Sequence, residues 1–306
     1  MPKTRTRGLI AAPFTPFRKD GSLWLDQVGV QAAHLVRNGV VGAFVAGTTG
    51  EGQSLTVAER MALVGRWVAD APNGLKIIVH AGDNSLEGCR QIAAYAQEVG
   101  AHAIAIMPPF FFKPASVAQL VAFCREVAAT APKLPFYFYH IPAMTGVNFP
   151  MRAFLTAAGP RIPTLVGVKF TYENLMDYTQ CLALEGGRYD MLFGRDEILL
   201  CGLTLGAQGA VGSSYNYAAP LYRKLMLAFA QGNLTAARAW QRKAQDMFQT
   251  MWDTGLPSMS AGKAVMKMIG VDCGSPRLPF PALARTDVAR LRRALDRIDF
   301  WDYASK

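Results

Sequence analysis

Charge is scarce in this chain, and so are the residues that hold metals or form cross-links. Only 18% of its 306 residues are charged, against 51% hydrophobic. That balance excludes a largely disordered chain and provides for a large core. The four histidines, His34, His80, His102 and His140, show no HExxH or related spacing, so no metal site is expected. The five cysteines, Cys89, Cys124, Cys181, Cys201 and Cys273, include no CxxC pair and are odd in number. Most lie in apolar or helical surroundings, where a free thiol behaves as a small hydrophobe. A reducing, cytoplasmic compartment is the expectation. No charge-free apolar run approaches the length of a membrane span. The apolar stretch from Gly8 to Phe14 contains Pro13 and meets Pro16 at once, which is short for a secretory signal.

What charge there is leans basic, with 32 Lys and Arg against 22 Asp and Glu, a net +10. Part of the excess sits at Lys3, Arg5 and Arg7, and part at Arg285, Arg290, Arg292 and Arg293. A basic balance fits nucleic acid, an anionic membrane or acidic small substrates. No zinc finger, recognition helix or interleaved basic and aromatic stretch accompanies it, so neither nucleic acid nor membrane is expected as a partner.

The chain alternates short β-rich runs with amphipathic, alanine-rich segments. Eight strands are expected, at Gly8–Ala12, Val41–Gly47, Lys76–Ala81, Ala103–Met107, Pro135–Tyr139, Thr164–Lys169, Asp190–Gly194 and Gly209–Gly212. Helical patterns fall between them, as at Leu25–Asn38, Val57–Ala69, Leu86–Val99, Val117–Ala129 and Leu175–Leu184. Near-continuous apolar runs such as Ile77-Ile78-Val79 read as parallel strands covered on both faces. Eight strand–helix units without a GxGxxG after the first strand predict an α/β fold, a closed (β/α)8 TIM barrel rather than a doubly wound sheet. Beyond Tyr217 the pattern is purely helical, through Leu221–Ala230, Leu234–Met251, Ala261–Ile269 and Val288–Ile298. Residues 1–306 are therefore read as a single domain, with the barrel over about 8–230 and a C-terminal helical extension over about 231–306.

In such barrels the reacting groups project from the C-terminal ends of strands. Lys169 closes the sixth strand, Leu165-Val166-Gly167-Val168-Lys169-Phe170. Alternation along that strand groups Leu165, Gly167, Lys169 and Thr171 on one face. A buried lysine loses its charge readily and becomes a nucleophile toward carbonyls; alternatively it snorkels to water from the strand end. Tyr139 closes the aromatic fifth strand and is either core packing or a proton shuttle beside Lys169. Gly47-Thr48-Thr49-Gly50-Glu51-Gly52 follows the second strand. Its backbone N–H groups and two hydroxyls would suit a carboxylate, or it is an ordinary turn before a helix capped by Thr56 and Glu59. Gly194-Arg195-Asp196-Glu197 follows the seventh strand and offers carboxylates to polyol hydroxyls, or simply opens a helix. Gly212-Ser213-Ser214 leaves the eighth strand, where such barrels often hold phosphate.

Taken together, Gly47-Thr48-Thr49-Gly50-Glu51, Tyr139-His140-Ile141-Pro142-Ala143-Met144-Thr145-Gly146, Gly167-Val168-Lys169 and Gly212-Ser213-Ser214-Tyr215-Asn216 are specific. They resemble, in order, the dihydrodipicolinate synthase/N-acetylneuraminate lyase family, over about Gly8 to Ile269. Tyr-His-Ile-Pro-Ala-x-Thr-Gly, Phe-Gly-x-Asp-Glu and Gly-Ser-x-Tyr-Asn are similar to segments of its N-acetylneuraminate lyase branch.

The resemblance implies a Schiff-base aldolase that cleaves a 2-keto sugar acid, foremost N-acetylneuraminate, to pyruvate and an aldehyde. It implies that Lys169 forms the imine and Tyr139 moves the proton, both as catalytic residues. Thr48 and Thr49 would hold the pyruvyl carboxylate, with Thr48 where the family usually has serine. Thr171, Gly194, Asp196, Glu197 and Ser213 would contact the sugar-derived chain. The family implies a homotetramer and no metal or organic cofactor. Two departures point away from dihydrodipicolinate synthesis: Met144 stands where a synthase has a carboxylate-binding arginine, and Phe110-Phe111-Phe112 occupies the place of a relay tyrosine. Arg195 has no assigned role. Other pyruvate-dependent aldolases or hydratases of the family, and a non-catalytic keto-acid binder, are the rival readings.

Overall fold

The computed structural model describes residues 5–306; Lys3, counted in the N-terminal basic group, lies outside them. Eight parallel strands close into a barrel in sequence order: β1 (Gly8–Ala11), β2 (Gly42–Val45), β3 (Lys76–His80), β4 (Ala103–Ile106), β5 (Phe136–His140), β6 (Leu165–Phe170), β7 (Asp190–Phe193) and β8 (Gly209–Gly212). Each overlaps its expected segment. β8 pairs back onto β1, with Gly8 opposite Gly209 and Ala11 opposite Gly212.

Between the strands run α1 (Asp26–Arg37), α2 (Val57–Asp70), α3 (Leu86–Glu98), α4 (Val117–Ala128), α5 (Pro142–Thr145), α6 (Met151–Ala158), α7 (Leu175–Ala183) and α8 (Leu199–Thr204), and α9 (Ala219–Ala230) follows β8. Their starts are set by local chemistry. Thr56 and Glu59 form a reciprocal capping box at α2, as the Thr-x-x-Glu spacing predicts. Ser85, Ser116 and Asn174 each accept a backbone N–H at the heads of α3, α4 and α7. The chain continues through α10 (Leu234–Asp253), α11 (Ser258–Met268) and α12 (Arg285–Asp296).

Strand alternation divides the apolar residues into two cores. Val45, Ile77, Val79, Ile106, Phe138, Val168 and Phe170 face outward and pack with helix residues such as Leu63, Trp67, Ile92 and Leu120. Ile10, Phe44, Ile78, Ala105, Tyr137, Tyr139, Leu192 and Val211 fill the barrel interior. Strict alternation fails at one place. Pairing between β5 and β6 slips beside Phe136, which sits opposite Leu165 while Tyr137 sits opposite Gly167. Two residues of β6 thus answer one of β5, the signature of a bulge. Leu165 joins the outer core and Val166 packs on the interior. Leu165 therefore does not share a face with Lys169, contrary to the alternation expected from sequence.

Candidate active site

The bulge leaves the end of β6 in register with β5, so that Lys169 lies opposite Tyr139. Lys169 points into the interior and is 4% exposed. Its Nζ stands 4.0 Å from the centroid of the Phe44 ring and 3.9 Å from that of Tyr139. Burial drives the ammonium down to about 7, and the charge of Asp196 opposes that fall. The lysine does not snorkel to solvent. Near neutral pH much of it is free amine, the form that attacks a carbonyl.

Tyr139 is 2% exposed and is wedged edge-on against Phe44 and His80. Its hydroxyl lies 3.2 Å from Thr48 Oγ1. Burial lifts the phenol to about 12, while the hydroxyls of Thr48 and Thr171 pull it back. The Tyr139 ring is core, and its hydroxyl reaches the turn after β2.

That turn is tightly wound. Ala46 and Glu51 both adopt left-handed backbone, with φ of 57° and 52°, which costs a non-glycine residue about 1 kcal/mol or more. Gly52 N–H donates to Gly47 O at 3.1 Å. A Cβ at Gly52 would lie 2.0 Å from the Ala46 carbonyl oxygen, so only glycine permits the closure. Thr15 Oγ1 donates to Gly50 O at 2.5 Å from the neighbouring β1 loop. In this turn Thr48 is exposed and Thr49 half-buried.

Beyond β7, Gly194 is required by contact: a Cβ there would lie 2.0 Å from Thr171 Oγ1. Asp196 is buried and opens a short 3-10 turn, Asp196–Ile198. Its Oδ2 accepts from Ser214 N at 2.9 Å and from Ser214 Oγ at 2.5 Å. The carboxylate expected to meet substrate hydroxyls thus also anchors the exit of β8. It speaks against phosphate at that exit too, since it occupies both Ser214 donors and adds negative charge. Burial and the neighbouring Asp196 lift Glu197 to about 7, and Arg195 opposes that rise. Arg195 Nη2 lies 2.7 Å from Glu173, and its Nε lies 3.6 Å from Glu197. It bridges the loops after β6 and β7, a place its sequence neighbours did not reveal.

Thr48, Thr49, Glu197 and Ser213 line one cavity of ≈ 190 Å³, and Thr48 joins it to Tyr139. Its remaining wall is largely apolar and includes Phe14, Phe248, Met251, Trp252, Leu256 and Met259. Most of these belong to α10, α11 and their connection, which sequence reasoning treated as an appendage. α10 also fixes Glu197 directly, since Gln241 Nε2 donates to the Glu197 carbonyl at 2.9 Å. A larger groove of ≈ 1490 Å³ is lined by none of the expected site residues. Met144 is 63% exposed on α5, and Phe111 and Phe112 are 74% and 85% exposed. Among the described residues, no three of His, Cys, Asp and Glu are grouped to hold a metal ion, and no helix is long and apolar enough to cross a membrane.

Comparison with known proteins places this geometry among relatives. The pattern of the dihydrodipicolinate synthetase family matches residues 5–298. The chain is 39% identical over 303 residues to the N-acetylneuraminate lyase of Mus musculus, covering 98% of this chain and 94% of that protein. The solved structure of Proteus mirabilis N-acetylneuraminate lyase superposes with a TM-score of 0.93 at 40% identity, over 97% of this chain and all (100%) of the other. That of the Aliivibrio salmonicida N-acetylneuraminate lyase (sialic acid aldolase) gives 0.93 at 37% identity, over 97% and 98%.

Proposed function

This chain belongs to the dihydrodipicolinate synthetase family, and from that premise we propose that it is a carbon–carbon lyase, a Schiff-base aldolase that cleaves N-acetylneuraminate to pyruvate and N-acetylmannosamine. The observation that carries the chemistry is a buried Lys169 amine, lowered to about 7, against the Tyr139 ring at the C-terminal end of the strands. The substrate follows from the N-acetylneuraminate lyases to which the chain is similar over nearly its full length.

In this reading Thr48 and Thr49 grip the carboxylate while Lys169 Nζ attacks the adjacent keto carbon. Loss of water gives a protonated imine. The phenol of Tyr139, neutral in the unliganded site, gives its proton to the hydroxyl that leaves as water, and the fixed cation of the imine beside its ring holds the phenolate so formed. Tyr139 then takes the proton of the C4 hydroxyl as the C3–C4 bond breaks. The bonding pair moves through the imine to nitrogen, giving an enamine and releasing the aldehyde. Protonation at C3 and hydrolysis return pyruvate and free Lys169. The imine is the electron sink, so no metal or organic cofactor takes part.

Thr171, Gly194, Asp196, Glu197 and Ser213 serve the polyol half. Glu197 and Ser213 border the cavity directly, Asp196 holds the loop that carries Ser213, and Gly194 lets Thr171 lie close to β7. Because α10 and α11 complete the cavity, the barrel and its extension act as one domain. We read the assembly as a homotetramer in the cytoplasm; the exposed Phe111–Phe112 pair is a surface that a second copy would cover, and all five cysteines are free thiols. Light scattering measures the first, and cell fractionation the second.

Reduction with borohydride in the presence of pyruvate tests the core of the reading. One reduced pyruvyl group is expected, at Lys169, by peptide mass spectrometry. Pyruvate release from a panel of keto sugar acids tests the substrate.

A further inference from the structure

The turn that carries Thr48 and Thr49 is held from outside the barrel by a pair that the reaction itself does not use. Glu51 lies at the back of that turn in left-handed backbone. Its carboxylate faces away from the cavity, toward the C-terminal extension. Lys263 Nζ of α11 stands 2.7 Å from Glu51 Oε1, and both side chains are 1% exposed. Arg277 N–H donates to Glu51 Oε2 at 2.8 Å. Lys263 also donates to Ser275 O at 3.2 Å, and its Nζ lies 4.3 Å from the centroid of the Phe17 ring. The Arg277 guanidinium meanwhile pairs with Glu59 at the head of α2 and donates to Gly21 O.

A buried ion pair is a poor source of net stability, because desolvation offsets its attraction. Its strength is directional: two buried charges with fixed partners specify one arrangement. Here that arrangement is demanding, with two left-handed non-glycine residues flanking Thr48 and Thr49. Burial lowers the Lys263 amine, and the Glu51 carboxylate beside it opposes that fall. Lys263 is also adjacent to Ala261 and Gly262, which line the cavity wall. One short stretch of α11 therefore touches both the cavity and the back of the turn.

We infer that Lys263 and Glu51 are positioning residues that set the Gly47–Gly52 turn so that the Thr48 and Thr49 hydroxyls and neighbouring backbone N–H groups meet a keto-acid carboxylate. The inference rests on the proposal that pyruvate forms an imine at Lys169 with its carboxylate on this turn. Neither residue touches substrate.

The test is pyruvate trapping by borohydride on the intact protein, read as the pyruvate concentration that gives half-maximal labelling. In Lys263→Met that concentration rises at least ~10-fold, the equivalent of about one hydrogen bond to a charged group. The labelled peptide and the maximal extent of labelling stay as in wild type, because Lys169 sits on β6. Glu51→Gln moves half-saturation in the same direction. Leu291→Ala, a cavity in α12 away from the turn, lowers the melting temperature yet keeps half-saturation within about twofold. If Lys263→Met does not fold, the double variant Glu51→Gln/Lys263→Met, which leaves no unpaired buried charge, gives the same reading. Unchanged half-saturation in these variants overturns the inference, as does an equal rise in Leu291→Ala. Wild-type protein that takes no label at Lys169 overturns the imine proposal itself, and this inference with it.

Discussion

Lys169 Nζ stands 3.9 Å from the centroid of the Tyr139 ring, whose hydroxyl is turned to Thr48 at 3.2 Å. The amine and the phenol are thus held face to side, with their titrations displaced in opposite directions by the same cause, burial.

That displacement sets a pH profile. Below about 7 Lys169 is protonated, and the reactive fraction falls tenfold for each further pH unit; above it the profile is flat. The initial rate of pyruvate trapping, measured with cyanoborohydride across pH 5 to 9, should follow this curve. Asp196 is the charge that opposes the fall of the lysine. Asp196→Asn should shift the acid limb downward by about one unit while leaving the rate at pH 9 unchanged. A limb that stays in place assigns the titration to another group.

Burying this amine also costs stability. Each pH unit by which its titration is displaced is about 1.4 kcal/mol. Between about pH 7 and the ordinary lysine value the unfolded chain binds a proton that the folded chain does not, so stability rises with pH across that window. Lys169→Met should abolish turnover yet raise the melting temperature, by more at pH 6 than at pH 9.5. Calorimetry of both proteins at the two pH values decides it; a lower melting temperature at pH 6 contradicts the expectation.

In the proposed mechanism the imine supplies the electron sink that a Lewis acid would otherwise provide. Activity should therefore survive exhaustive dialysis against a chelator. Loss of activity that zinc restores would remove the Schiff-base mechanism.

Met144 is exposed on α5 and offers no charge, whereas a substrate carboxylate calls for a forked donor. Condensation of pyruvate with aspartate semialdehyde should be at least ~100-fold less efficient than sugar-acid turnover, about 2.7 kcal/mol in transition-state binding. Met144→Arg should narrow that ratio. Glu197→Gln should depress sugar-acid cleavage and spare pyruvate trapping, since trapping does not use the polyol end. Steady-state kinetics on both substrates separates these outcomes, and wild-type preference for the semialdehyde defeats the substrate assignment.

Much of this site could be read along the chain because its signals are local. A lysine closing an apolar strand is conspicuous by its cost, and the Gly-Thr-Thr-Gly-Glu-Gly turn announces itself by composition. The eight strands were legible from the recurrence of short apolar runs between amphipathic ones. The bulge at Leu165–Gly167 was not, since it exists only in the register between β5 and β6. Nor was the partner of Asp196, because Ser214 comes beside it only when β7 and β8 are adjacent in the closed barrel. Lys263 did carry a faint signal, a lone lysine in Ser258-Met259-Ser260-Ala261-Gly262-Lys263-Ala264-Val265. Glu51 was visible only as part of a turn, with nothing nearby to say which way its carboxylate faced.

The grip on Glu51 has a consequence for how the protein is made. Arg277 lies 226 residues beyond Glu51 in the chain. During synthesis at roughly 5–20 residues per second, β2 and its turn wait on the order of ten seconds or more for that partner to be translated. Throughout that interval the turn has its own Gly52–Gly47 bond and the bond from Thr15, but not the buried partners of Glu51. A nascent chain that has already made Lys169 and Tyr139 still lacks the grip proposed to set the turn for a keto acid, so competence waits for α11 and Arg277 rather than for the residues proposed to do the chemistry.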